Sequence, residues 1–187
     1  DGTTWTSRTS STSKYLNGVT YGNSTFVTVG ISGTILTSPD NGTTWTSKTS
    51  GTTNELWGVT YANNTFVTVG YGGTILTSSD NGTTWTSRTS GTTNLLWGVN
   101  YGNSTFVTVG NSGTILTSSD GTTWTSRTSG TTNNLYGVTY ANSTFLTVGQ
   151  SGTILTSSDG TTWTSRTSGT TNNLYGVTAT TTTLLAP

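Results

Sequence analysis

Five near-identical turns set what this 187-residue chain can become. Asp1-Gly2-Thr3-Thr4-Trp5 returns as Asp40–Trp45, Asp80–Trp85, Asp120–Trp124 and Asp159–Trp163, so the tryptophans fall 39 or 40 residues apart. A fixed period of that size belongs to repeat architectures, in which one supersecondary unit buries its apolar surface only against copies of itself. Asp-Gly between two strand-like runs is a hairpin signal, because both residues tolerate the positive φ of a tight turn. Thr34-Ile35-Leu36-Thr37 before the turn and Trp45-Thr46-Ser47-Lys48 after it are such runs.

One full unit reads as four strands. Leu56-Trp57-Gly58-Val59-Thr60-Tyr61 is strand A, Thr65–Val69 strand B, Thr74–Ser78 strand C and Thr84–Thr89 strand D. Four short antiparallel strands per period of about 40 residues describe one propeller blade. Apolar letters on both faces of strands B and C suit a sheet packed between two neighbours, where a half-wet sheet would alternate cleanly. The expected fold is all-β: a five-bladed propeller of four-stranded blades forming one domain. Its blades are expected at about 11–50, 51–90, 91–129 and 130–168, with a composite blade from 169–187 plus 1–10. In that composite the N-terminal strand D joins a C-terminal strand A (Leu174–Thr178) and a degenerate strand B (Thr183–Pro187), closing the ring without a strand C. An edge left open there invites an oligomer.

Composition fits a β fold with an unusual surface. Leu, Ile, Val and Phe number only 34, but the net charge is zero and seven Trp and eight Tyr add large buriable area. Thr suits pleated surfaces, Gly and Asn suit turns, and helix formers are scarce. Six basic and six acidic residues, evenly spread, form no stripe for a phosphate backbone, so no nucleic-acid partner is expected. No apolar run reaches the length of a membrane helix, so no membrane partner is expected either. The absence of cysteine leaves the redox compartment open. The start in mid-repeat without Met suggests a processed product or a fragment, and the Thr/Ser/Asn-rich surface an extracellular one.

Ser38-Pro39-Asp40-Asn41-Gly42-Thr43-Thr44-Trp45 and its copy at 78–85 resemble the Asp-box, S-x-D-x-G-x-x-W, of BNR-type propellers. The wider unit, with Gly-Val in strand A and Val-Gly-x-x-Gly-Thr-Ile-Leu-Thr-Ser before the box, is similar to repeats of photosystem II assembly factor-like propellers. Sialidases and sortilin-type receptors share the box. At Asp120 and Asp159 the residue between Asp and Gly is missing. The resemblance implies a structural turn away from any active face, and it transfers no activity.

The chemistry-bearing residues read the same way. Asp1, Asp40, Asp80, Asp120 and Asp159 are expected to hold their own turns, with Trp5, Trp45, Trp85, Trp124 and Trp163 packing beneath. Equivalent positions on separate blades do not converge on one substrate. Arg8, Lys48, Arg88, Arg127 and Arg166 are spread by the same repeat, Glu55 is the only Glu, and His and Cys are absent. No enzyme activity, cofactor or metal is therefore expected.

Differences between copies gather elsewhere. They fall in the B–C turn (Ile31, Tyr71, Asn111, Gln150), in the D–A approach (Tyr15, Glu55) and in strand A (Asn17, Trp57, Trp97, Tyr136, Tyr175). Both connections emerge on one side of a four-stranded blade, so these letters are expected on one rim. Aromatic rings beside amides suit a glycan or a protein surface, whereas drift at tolerant loop positions would give the same letters without a ligand. The expected role is a non-catalytic binding or scaffold module. The alternatives are a recently amplified or engineered propeller with no ligand, or an assembly-factor-like protein binder.

Overall fold

A computed structural model describes residues 2–179. The first blade comprises β1 (Leu16–Gly22), β2 (Thr25–Gly30), β3 (Ile35–Ser38) and β4 (Thr46–Lys48), hydrogen-bonded in chain order. The second holds β5 (Leu56–Ala62), β6 (Thr65–Gly70), β7 (Ile75–Ser78) and β8 (Thr86–Arg88). The third holds β9 (Leu96–Gly102), β10 (Thr105–Gly110), β11 (Ile115–Ser118) and β12 (Thr125–Arg127). The fourth holds β13 (Leu135–Ala141), β14 (Thr144–Gly149), β15 (Ile154–Ser157) and β16 (Thr164–Arg166).

Local letters make the hairpins. Ala62 pairs with Thr65 across Asn63 and Asn64, whose φ values of 48° and 57° are the two positive angles of a two-residue turn that matches strand twist. Asn tolerates that conformation better than most side chains. Between the second and third strands the chain makes a single 3-10 turn, as at Tyr71–Gly73, and Gly73 (φ 72°) ends it. A Cβ on Gly73 would stand 2.0 Å from the Thr92 carbonyl oxygen, so glycine is needed there for space as well as for angle.

The core lies between blades. Val27, Val29 and Ile35 of the first blade meet Leu56, Phe66 and Leu76 of the second. Val67, Val69 and Ile75 then meet Leu96, Phe106 and Leu116, and Val107, Val109 and Ile115 meet Leu135, Phe145 and Leu155. Each blade thus has a forward face, built on its second and third strands, and a rear face that adds its first strand. A fully buried side chain of this size contributes about 1.5–3 kcal/mol, so these seams hold most of the fold's stability. The Asp-Gly turns lie across the same seams: a Cβ on Gly82 would come within 3.4 Å of Val27 Cγ2 in the preceding blade. The first strands follow one another, β1 against β5, β5 against β9 and β9 against β13.

The two ends depart from the sequence expectation. Residues 2–10 form no strand, and Trp5 is 88% exposed while its four counterparts are half-buried. Leu174–Thr178 lies beside β13, with Gly176 Cα 3.4 Å from where a Cβ on Gly137 would be, but it joins no sheet. A strand D needs a strand C to pair with, and the composite blade has none. The strand expected at 183–187 lies outside the described residues. No helix among the described residues is long and apolar enough to cross a membrane.

Candidate binding face

The variable letters of the repeat meet at the end of each blade where the 3-10 turns lie. In the first strand a β-bulge falls on one residue: Leu56 pairs with Gly70 and Gly58 with Val69, leaving Trp57 between them without a partner across the ladder. The same irregularity occurs at Asn17, Trp97 and Tyr136. Bulges turn a side chain away from the pleat. Here they turn four equivalent residues, one per blade, along the line of stacked first strands.

Those residues touch in succession. The Trp57 and Trp97 ring centroids are 4.6 Å apart, Trp97 and Tyr136 5.6 Å, and Tyr136 and Tyr175 5.0 Å. Asn17 continues the row on the first blade, its amide donating to the Leu56 carbonyl at 2.9 Å. The row is therefore one aromatic ladder running across blades. Tyr175, at 70% exposure, is its open end.

The 3-10 turns dock beside the ladder. The backbone N–H of Ile31, Tyr71, Asn111 and Gln150 donates to the carbonyl of Tyr15, Glu55, Leu95 and Asn134 respectively, at 2.8–3.1 Å. The turn and the approach to the first strand are thereby fixed to each other. Asn94 strengthens the tie, its amide donating to Thr114 Oγ1 at 2.8 Å, and Asn54 and Asn133 repeat it. The letters of these approaches vary between blades, and nothing in them signals that their asparagines brace the turns.

Blade-to-blade differences change what the ladder can bond. Trp97 Nε1 donates to Asn111 Oδ1 at 2.7 Å. In the second blade Tyr71 stands at the Asn111 position, and Trp57 Nε1 is buried without a hydrogen-bond partner. Tyr71 is instead 59% exposed beside the turn, and Tyr15 is 78% exposed on the first blade. Glu55 is exposed as well, and Ile31 and Gln150 are half-buried. All eleven variable residues thus lie along this one end, and the ladder joins five of them.

The aspartates sit at the other end of the blades. Asp40 Oδ1 accepts from the Thr44 backbone N–H at 2.9 Å and from Ser38 Oγ at 2.7 Å, and Oδ2 accepts from the Thr44 hydroxyl. Those donors, the Thr44 N–H foremost, lower its carboxyl from the ordinary 3.8 to about 2, and Asp80 is held at about 2 in the same way. Asp120 and Asp159 are lowered chiefly by the backbone N–H groups of Thr123 and Thr162. Trp45, Trp85, Trp124 and Trp163 each donate Nε1–H to the glycine carbonyl of their own turn at 3.0–3.1 Å. Arg88, Arg127 and Arg166 donate Nε–H to Thr77, Thr117 and Thr156 hydroxyls at 2.8 Å. Asp1 lies outside the described residues.

Three open grooves of about 650–710 Å³ recur beside the 3-10 turns, each lined by the turn, the end of the fourth strand and the Ser-Gly-Thr-Thr link, as at Gly72–Thr74 and Ser87–Thr93. Their walls are threonine, serine and glycine with one Arg or Lys. No group of three or more His, Cys, Asp or Glu stands together among the described residues.

No protein-family model matches the sequence, and no curated protein matches it. Solved structures do. YCF48 bound to a D1 peptide superposes with a TM-score of 0.71 at 19% identity, over 89% of this chain and 58% of that one. YCF48 from Cyanidioschyzon merolae gives 0.66 at 17% identity, over 87% and 59%. The WD40 β-propeller domain of Doa1 gives 0.58 at 14% identity, over 80% and 53%. The fold is a β-propeller fold. A computationally designed protein, Ika8, also matches, with a TM-score of 0.63 at 10% identity, over 89% of this chain and 65% of that one. The chain spans less than two thirds of each of these four chains.

Proposed function

We propose that this chain is a non-catalytic binding or scaffold module that takes its ligand on the end carrying the aromatic ladder. The observation that carries the reading is the continuity of Trp57, Trp97, Tyr136 and Tyr175 across blades, with exposed Tyr71 beside it. Large flat rings next to amide groups supply apolar contact and directional hydrogen bonds together. The ligand is an extended segment of another protein. A solved propeller-like structure, YCF48, is bound to a peptide, which supports this choice. A glycan is the second reading, favoured by Asn111 and Gln150 beside the rings.

Tyr71→Ala and Tyr175→Ala remove exposed rings and leave the seams intact, so they separate binding from folding. Screening the chain against a peptide array and a glycan array tests the reading. Capture of a peptide that both variants lose supports it, and capture of sugars alone transfers the site to the glycan reading. Silence on both arrays, or binding that neither variant weakens, refutes the site.

A further inference from the structure

Three seams inside the chain join a forward face to a rear face, and one unused copy of each remains. Among the described residues no blade stands behind the rear face of the first blade. Leu16 is 39%, Val19 63% and Tyr21 53% exposed, whereas Leu56, Leu96 and Leu135 are at 0% and Val99 and Val138 at 7% and 9%. The forward face of the fourth blade is only half sealed. Leu146 and Ile154 keep partial exposure where their counterparts Val67, Val107, Ile75 and Ile115 are fully buried. Leu174-Tyr175-Gly176-Val177-Thr178 lies against that face, its Leu174 N–H donating to the Gly149 carbonyl at 3.0 Å.

That short segment shares four of the five letters of Leu16-Asn17-Gly18-Val19-Thr20, with Tyr175 in place of Asn17, but it brings no sheet with it among the described residues. It supplies none of the groups that Phe66 and Trp85 supply in the first internal seam. β1 comes with a whole blade, including Phe26 and Trp45 at those two positions. Neither unused face presents a charged residue at the positions that form the internal seams, so nothing opposes their contact.

We propose that the two unused faces are the halves of one interface and that copies of this chain join head to tail through it. The rear face of one copy's first blade docks on the forward face of another copy's fourth blade, and β1 takes the place that residues 174–178 hold. A second copy is the occupant because the chain's own first and fourth blades share no seam among the described residues. β1 packs on β5 and β13 on β9, and no comparable packing joins β1 to β13. The contact is heterologous, so copies either close into a ring or extend into a filament.

Sedimentation equilibrium of the full chain, from micromolar to submillimolar concentration, tests this. The expected result is a mass that rises above the monomer's 19.4 kDa with concentration. Val19→Arg places a charge on an exposed position, so it keeps the circular dichroism and melting of the dilute wild type yet stays at 19.4 kDa. A wild type fixed at monomer mass, or association that Val19→Arg leaves unchanged, overturns the proposal. The chain has no cysteine, so Val19→Cys with Leu146→Cys and a short bis-maleimide reports the geometry directly. Links between two copies are expected. A link closed within one chain shows that the chain's own ends cover the faces, and it overturns the proposal too.

Discussion

Val99→Ala and Val19→Ala remove the same two carbons from the same repeat position, one inside a seam and one in water. Val99 is 7% exposed and Val19 63%. At about 0.8 kcal/mol per buried CH₂, truncating Val99 costs about 1.6 kcal/mol, and the cavity left behind adds to it. Only about a third of Val19 is covered, so its truncation costs about 0.6 kcal/mol on the same scale. Urea unfolding followed by tryptophan fluorescence, at a concentration low enough to keep copies apart, separates the two. With a slope of about 2 kcal/mol per molar urea, the midpoint falls by about 0.8 M for Val99→Ala and by about 0.3 M for Val19→Ala. Equal midpoint shifts would refute the reasoning, because they would mean that the first blade's rear face is as sealed as the internal ones.

Other outcomes follow from the same geometry. Gly113→Ala places a Cβ 2.0 Å from the Thr131 carbonyl oxygen at φ 67°, whereas Gly130→Ala at φ 75° meets nothing within 4 Å. The second variant is expected to cost about 1–2 kcal/mol for the left-handed backbone alone and the first clearly more, read as melting temperatures. Tyr71→Asn gives Trp57 Nε1 the acceptor that Asn111 gives Trp97, and it is expected to raise stability by about 1 kcal/mol in the same urea assay; no gain would mean that the orphaned indole is otherwise satisfied. Asp40 and Asp80 hold fewer protons folded than unfolded, so their stabilising contribution is complete above the ordinary 3.8 and lost as pH falls towards about 2. A melting temperature that drops across that window, and drops less in Asp40→Asn/Asp80→Asn, is the expected result.

The hairpins were legible because their causes are local. Asn63-Asn64 and Asp120-Gly121 carry their own turn angles, and the two-sided apolar letters of β6 and β7 announce burial between neighbours. The gathering of Trp57, Tyr71 and Asn111 at one end followed from strand order alone. The bulge that aims Trp57 along the ladder did not. It is set where Gly58 passes the next blade's backbone, so closely that a Cβ there would lie 3.0 Å from the Trp97 carbonyl oxygen. The strand expected at the N-terminus does not form over residues 2–10 for a related reason. Val19 and Val99 each follow a glycine and stand two residues before a tyrosine, and Trp5 and Trp124 follow the same Asp-Gly-Thr-Thr letters, but burial depends on which blade stands alongside. Repetition writes the same strand D at residues 2–10, where among the described residues no third strand pairs with it.

Distances between spin labels on the outer strands test most directly the expectation that three sequential seams hold the four blades and that no further seam closes them into a ring. Ser47, Ser87, Ser126 and Ser165 are exposed on the fourth strand of successive blades, and the absence of cysteine lets each pair be labelled alone. In dilute solution the account predicts that the distance from position 47 grows at each step, to 87, then 126, then 165. A distance to 165 equal to that for 126, or as short as that for 87, would mean a closed ring of five or four blades and would contradict it.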